Sequence, residues 1–262
     1  MKICRYLMRD ASSSDAAPPR YGLIEGENVI EISGPLWEPW SRGSRSSRLT
    51  DVRLLAPVEP SKIVCIGRNY PAHAAEMGNE VPKEPLMFLK PPSSIIGPEE
   101  AIVLTKYSQR VEHEGELALV IGRRCSRLRD TDDALSFVGG YTCLNDVTAR
   151  DLQKSDVQFT RAKGFDTFCA VGPHIETGLD PSNVLVETHV NGARRQSGVT
   201  SLMTYPPAFL VGWISRMMTL MPGDVIATGT PAGVGPLVAG DTVEVSVAGV
   251  GVLRNPVYAP QA

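Results

Sequence analysis

Glu112-His113-Glu114-Gly115-Glu116-Leu117-Ala118-Leu119-Val120-Ile121-Gly122 is the stretch whose reading decides the rest of the chain. It reads as a strand, a dense apolar run with β-branched residues closed by a glycine. Side chains on a strand alternate faces, so Glu114 and Glu116 are expected on one side, with Ala118 and Val120 beyond them. Two carboxylates at the mouth of an apolar strand repel each other and lose solvation, and a divalent cation would relieve both costs. A solvated strand end with lysine-paired carboxylates has the same local sequence. The remainder of the chain decides between the two.

Composition sets the outer limits. The chain has 262 residues, enough for one large domain or one with a small appendage. Hydrophobic residues make up 42% and charged residues 21%, as in an ordinary soluble globular protein. A net charge of −3, from 26 basic and 29 acidic residues, gives no electrostatic reason to expect nucleic acid or an anionic membrane as partner. The basic cluster Arg42 to Arg48 reads as a solvated loop. Cys4, Cys65, Cys125, Cys143 and Cys169 contain no Cys-x-x-Cys pair, which argues against a zinc site or disulfide framework and for a reducing cytoplasm. The N-terminus lacks an apolar signal core, and Ala208 to Ile214 is far too short to span a bilayer.

Residues 1–56 read as a small N-terminal domain and 57–262 as the main one, with Pro57 and Pro60 at the boundary. In the first part Lys2 to Met8 is strand-like, Ala11 to Arg20 is a loop, and Tyr21 to Ile32 suggests a hairpin. Lys62 to Ile66 is a short strand. A short helix follows it, with Pro71 in its first turn and Gly78 as its stop. His73 and Glu76, three apart, share one face of that helix. With flanking glycines and a polar loop over Asn79 to Glu84, the segment has the makings of a mobile lid.

Thr131 is placed to cap a helix through Phe137, and Tyr141 to Leu144 is a strand ending at Asn145-Asp146. Val147 to Lys154 is helix-like, which sets Asp146 near a helix N-terminus, as cap or as ligand. Lys163 sits in what reads as a loop. Asn191-Gly192 marks a two-residue hairpin turn, and Thr204 with Pro206 and Pro207 opens the only long helix. Gly229-Thr230-Pro231-Ala232-Gly233-Val234-Gly235 is neither a phosphate loop nor a dinucleotide fingerprint, although its amides and the Thr230 hydroxyl suit a carboxylate. Many short strands, few helices and 24 glycines predict a β-rich α+β fold, a rolled or sandwiched mixed sheet with peripheral short helices.

Taken in order, these stretches resemble the fumarylacetoacetate hydrolase family, in its acylpyruvase and 2-hydroxyhepta-2,4-diene-1,7-dioate isomerase-like branch. The resemblance rests on Ile66-Gly67-Arg68-Asn69-Tyr70 with His73 and Glu76, Phe88-Leu89-Lys90-Pro91, Glu114-Gly115-Glu116-Leu117, Asn145 to Gln153, Lys163 to Thr167, and Ala227 to Pro231. It implies a β-sandwich roll, a homodimer, and a divalent metal, Mg²⁺ or Mn²⁺, with Ca²⁺ as a stand-in in crystals. Glu114, Glu116 and Asp146 fall on the family's metal-ligand positions, and Lys163 on the lysine beside the metal. Gln153 and Thr230 fall on substrate-contacting positions, and Arg68 is a candidate for reading a distal carboxylate. His73 and Glu76 fall on the lid dyad that activates water in hydrolytic members. The implied substrate is a small 2-oxo or 1,3-dioxo acid. The dyad tilts the expectation toward hydrolysis of a C–C bond through an enolate held at the metal. The alternative is isomerisation or decarboxylation of 2-oxo-heptenedioate-like or oxaloacetate-like acids from aromatic-compound breakdown. A non-catalytic small-acid-binding protein is the remaining reading, which the intact residue set disfavours.

Overall fold

The structure is a computed structural model and describes residues 1–9 and 18–259. The first part of the chain forms β1 (Lys2–Met8), β2 (Arg20–Glu25), β3 (Asn28–Ser33), β4 (Ser41–Arg48) and β5 (Val52–Leu55). Next come β6 (Ile63–Gly67), the short helix α1 (Pro71–Glu76), β7 (Leu86–Lys90), and the two-residue strands β8 (Ile95–Ile96) and β9 (Ile102–Val103). The centre holds β10 (Val111–His113), β11 (Gly115–Ile121), β12 (Val138–Asp146), β13 (Thr148–Ala149), α2 (Arg150–Ser155), α3 (Thr160–Lys163) and β14 (Cys169–Glu176). The chain finishes with β15 (Leu185–Val190), β16 (Ala193–Val199), α4 (Pro207–Met217), β17 (Val225–Ala227), β18 (Gly235–Pro236), β19 (Thr242–Val247) and β20 (Gly251–Tyr258).

These strands make three sheets. The largest runs β4-β3-β2-β1-β14-β12-β11-β17-β6-β7, with β5 on β1 and β8 on β14. A second runs β16-β15-β19-β20-β9, and a small third runs β13-β10-β18. Pairing is antiparallel except at β17–β6, β14–β8 and β20–β9, so the sheets are mixed, as the sequence predicts. The N-terminal strands continue the main sheet, because β1 pairs with β14 at Lys2 and Ile3.

β11 explains why its sequence is apolar at every position. Leu117, Leu119 and Ile121 face Val186, Val243, Val245 and Leu253 of the five-stranded sheet in one core cluster. Ala118 and Val120 face the other way, into a cluster with Ile3, Leu23, Val225 and Ala227. A strand buried on both faces loses the polar alternation of a half-exposed one. Glu116 and Asp146 share strand faces with Ala118 and Leu144, so both carboxylates open from the end of this second cluster.

Three local expectations are corrected. Glu112 to Glu116 is not one strand: β10 ends at His113, β11 starts at Gly115, and Glu114 lies at the break between two sheets. Thr131 caps no α-helix; a 3₁₀ turn spans Ala134–Phe137, because seven residues barely nucleate and Asp132 is tied to the Arg129 guanidinium instead. Arg42 to Arg48 is not a loop but the edge strand β4, paired along β3. An edge strand needs no apolar face, and charge on it discourages further pairing. The expected hairpin at Asn191-Gly192 is present, with φ of 52° and 77°, as is the long helix opening at Pro207. The loop expected over Ala11 to Arg20 lies mostly outside the described residues. No helix among the described residues is long and apolar enough to cross a membrane.

Candidate functional site

The break at Glu114 builds the site. A Cβ on Gly115 would sit 2.0 Å from Thr188 Oγ1 of the facing sheet, so only glycine lets the chain cross there. With the ladder interrupted, Glu114 N–H donates to Asn145 Oδ1 (2.9 Å), and Asp146 N–H donates to the Glu114 carbonyl (2.8 Å). This pairing carries the end of β12 alongside the break. Glu114, Glu116 and Asp146 thereby present ligand oxygens within 4.8 Å of one another, and all three are buried.

The three carboxylates have unequal partners. Asp146 accepts from Lys90 Nζ at 2.6 Å and from Lys163 Nζ at 2.6 Å. Glu114 accepts from Lys163 Nζ at 2.8 Å and from Arg150 Nη2 at 2.5 Å. Burial works against its charge, but Lys163 and Arg150 outweigh that and hold the Glu114 carboxyl well below the usual range. Among the described residues, Glu116 accepts only the Gly229 N–H, at 2.7 Å. Burial, with Asp146 and Glu114 nearby, drives its carboxyl well above the usual range. A buried carboxylate with no side-chain cation, beside two others, is the arrangement that a hard divalent cation satisfies. All-oxygen donors suit Mg²⁺, Mn²⁺ or Ca²⁺ and not a thiol-seeking metal. The residues present therefore fit a divalent metal.

A cavity of about 310 Å³ opens onto this cluster. Its walls include Glu114 and Glu116, His73 from α1, Arg150 and Gln153 from α2, Lys163, Arg68 and Thr230. Asp146 lies behind the lining and Glu76 at its edge, where it lines a neighbouring cleft with Arg110 and Lys154. The expected site residues thus come together from five separate stretches of sequence. His73 is buried, with Nδ1 3.3 Å from Glu76 Oε2. Since a carboxylate only accepts, the proton of this contact is on Nδ1. Glu76 is held by Gly233 N–H at 3.0 and 3.1 Å. The glycine-rich stretch does hold carboxylates, as its amides suggest, but they are the chain's own Glu116 and Glu76.

Lys163 is not a loop lysine. It ends α3, is 1% exposed, and is charged: burial opposes the charge, but Asp146 and Glu114 more than offset it. Asp146 caps no helix, because α2 begins four residues later with Ala149 as its cap. The Thr230 hydroxyl is committed to the Gly115 carbonyl (2.8 Å), and Gln153 Oε1 accepts from Arg150 Nη1 (2.6 Å). Arg68 lines the cavity in the left-handed backbone region, φ 57°, unusual for a bulky residue.

Sequence reasoning missed Lys90, Arg150 and Glu112. All three are buried, and Glu112 accepts from Arg150 Nε at 2.6 Å. Each stands in a stretch already singled out, yet charged side chains read as exposed unless a buried counter-charge is in view.

Comparisons with known proteins give the family and the fold. Residues 62–258 match the model described as fumarylacetoacetate (FAA) hydrolase C-terminal, and residues 1–57 match one described as Rv2993c-like, N-terminal. The chain is 53% identical over 216 residues to protein Rv2993c of Mycobacterium tuberculosis, covering 81% of each. It is 40% identical over 254 residues to the oxaloacetate tautomerase YisK of Bacillus subtilis, covering 89% of this chain and 84% of that one. Among solved structures, the 2-hydroxyhepta-2,4-diene-1,7-dioate isomerase from Mycobacterium marinum superposes with a TM-score of 0.90 at 44% identity, covering 100% of both chains. The 5-carboxymethyl-2-hydroxymuconate delta-isomerase from Mycobacterium smegmatis gives 0.89 at 46%, covering 99% of this chain and 100% of that one. The chain belongs to the fumarylacetoacetate hydrolase family.

Proposed function

We propose that this enzyme is a divalent-metal-dependent tautomerase or isomerase of small 2-oxo dicarboxylic acids, moving a proton on the carbon next to a keto group. The observation that carries the reading is His73, a base held by Glu76, lining the same cavity as the carboxylate cluster. A substrate held at the cluster by its carboxylate and keto oxygens would expose its neighbouring carbon to that base. The sequence tilts toward C–C hydrolysis. Relatives named as an oxaloacetate tautomerase and as a heptadienedioate isomerase weigh for the alternative instead.

Glu114, Glu116 and Asp146 would hold the metal, Mg²⁺ or Mn²⁺. When bound, it supplies Lewis acidity to the substrate's keto and carboxylate oxygens. The chain's own residues do the rest. His73 Nε2 takes the proton from the carbon, and Glu76 steadies the imidazolium that forms. The Lys163 ammonium, fixed by two carboxylates, lies in the cavity wall to stabilise negative charge developing on oxygen. Return of the proton to the enolate oxygen, or to a different carbon, gives the enol or the isomer. No water is consumed. α1, whose His73 lines the cavity, would limit solvent at the reacting carbon.

The test is a panel of oxaloacetate, an acylpyruvate and 2-hydroxyhepta-2,4-diene-1,7-dioate with Mg²⁺ and Mn²⁺, following enol absorbance and products. Metal-dependent decay of the enol signal with carbon skeletons intact is expected. Cleavage of the acylpyruvate as the fastest reaction would instead favour the hydrolase.

A further inference from the structure

β16 is a strand whose neighbouring side chains are exposed: Ala193, Arg194, Arg195 and Ser197 all face solvent. Gln196 is the exception, at 1% exposure. The ladder with β15 pairs Thr188 with Gln196 and His189 with Arg194, so Arg195 is an extra residue, a bulge. Bulges re-aim side chains and are common beside active sites. Here the bulge turns Gln196 inward, under the glycine stretch that borders the cavity.

Gln196 spends its whole amide there. Its Oε1 accepts from Gly115 N–H at 3.0 Å, between the two glutamates of the carboxylate cluster. Its Nε2 donates to Thr230 Oγ1 at 2.7 Å and to the Pro231 carbonyl at 2.7 Å. His113 Nδ1 lies 2.9 Å from the same Oε1. A flipped amide would set N–H against Gly115 N–H and oxygen against the Pro231 carbonyl, so the orientation is unique. His113 Nδ1 must then be the donor. The stretch it holds lies directly on the strand backbone. A Cβ at Gly233 would meet the Arg195 carbonyl at 2.0 Å, and one at Gly198 would meet Pro231 Cβ at 2.6 Å.

We infer that Gln196, oriented by His113, is a positioning residue for the reaction of this site. It locks residues 229–233 onto the strand break that carries Glu114 and Glu116. Through that stretch it sets two further contacts, Gly229 N–H on Glu116 and Gly233 N–H on Glu76. One buried amide therefore registers the metal-binding carboxylates against the His73–Glu76 pair. The inference rests, for its catalytic part, on the reading of this site as a 2-oxo acid site.

The test uses the full chain with Mg²⁺, comparing Gln196→Met, His113→Asn and His113→Leu with wild type. Loss of these buried hydrogen bonds should speed amide exchange at Gly229 and Gly233 by on the order of ten- to a hundredfold, with β19 and β20 at wild-type rates. In Gln196→Met, KM for oxaloacetate rises and kcat falls together. His113→Asn, whose amide nitrogen can stand in for Nδ1, keeps near-wild-type exchange and turnover, and His113→Leu matches Gln196→Met. Unchanged exchange at Gly229 and Gly233 in Gln196→Met would overturn the inference. So would faster exchange spread evenly over the chain, or equal behaviour of His113→Asn and His113→Leu. Wild type that turns over no 2-oxo acid would sink the functional reading alone, since the exchange result decides the coupling by itself.

Discussion

Glu116 is the residue on which the metal assignment turns, because among the described residues it alone of the three carboxylates makes no direct ion pair with a side-chain cation. Replacing it with Ala should abolish Mn²⁺ binding in titration calorimetry, and normal binding would remove it from the site. Its pH behaviour has a definite sign. The carboxyl sits above the 4.5 of an ordinary glutamate, so the metal-free folded chain binds a proton there that the unfolded chain releases. Stability from that proton is complete below pH 4.5 and fades as pH rises through the raised value. A cation displaces the proton, so the Tm gain from Mg²⁺ should grow with pH over the same window, and calorimetry in buffers of different ionisation heat should register proton release. Glu114 has the opposite sign, its contribution being lost as pH falls below 4.5. Lys163→Met should lower turnover by about 10²–10³, as loss of an oxyanion-stabilising donor does, and disturb metal affinity much less. Unchanged turnover would take Lys163 out of the chemistry. The identities of these residues were legible in the sequence, because their types and order carry the family's pattern. Their pairing was not: that Lys163 lies between Glu114 and Asp146, or that Lys90 and Arg150 are buried, depends on strands far apart in sequence.

At the scale of elements, two short pieces do the positioning. α1 is only six residues long, from Pro71 to Glu76, and buries His73 and Ala74. Its far end is held to the body of the protein by Gly233 N–H on Glu76. His73→Ala should leave metal affinity intact and cut tautomerisation by about 10²–10⁴, the usual worth of a general base. Loss of metal binding in that variant would mean that α1 serves the carboxylate cluster instead. The other piece is the break between β10 and β11. Gly115→Ala forces a methyl onto Thr188 Oγ1 and should cost about 1–3 kcal/mol, read from denaturant midpoints. The helix and its glycine stop were readable from Pro71 and Gly78. The break was not, because alternation continues through Glu114 on paper and only the facing Thr188 reveals why a glycine is needed.

Across the whole molecule, strands from both halves of the sequence close around one charged centre. Glu112, Glu114, Glu116 and Asp146 are buried with Lys90, Arg150 and Lys163, four carboxylates to three cations, and a bound cation would supply the missing positive charge. Metal that binds only the folded chain should stabilise it by about 2.7 kcal/mol at a hundred times Kd, and a chelator should reverse the gain. Fold class was legible because short β-branched runs and turn glycines are local signals. The joining of the N-terminal strands to the main sheet through β1 and β14 was not, because partner choice between strands is set by packing. The central claim is that His73 moves a proton on the carbon beside a keto group held at the carboxylate cluster. Wash-in of solvent deuterium at that carbon of oxaloacetate, followed by NMR with Mg²⁺, tests it most directly. The account predicts exchange far above the buffer rate in wild type, falling to that rate in both His73→Ala and Glu116→Ala. Exchange that persists in His73→Ala, or an acylpyruvate cleaved by wild type with no exchange into oxaloacetate, would contradict it.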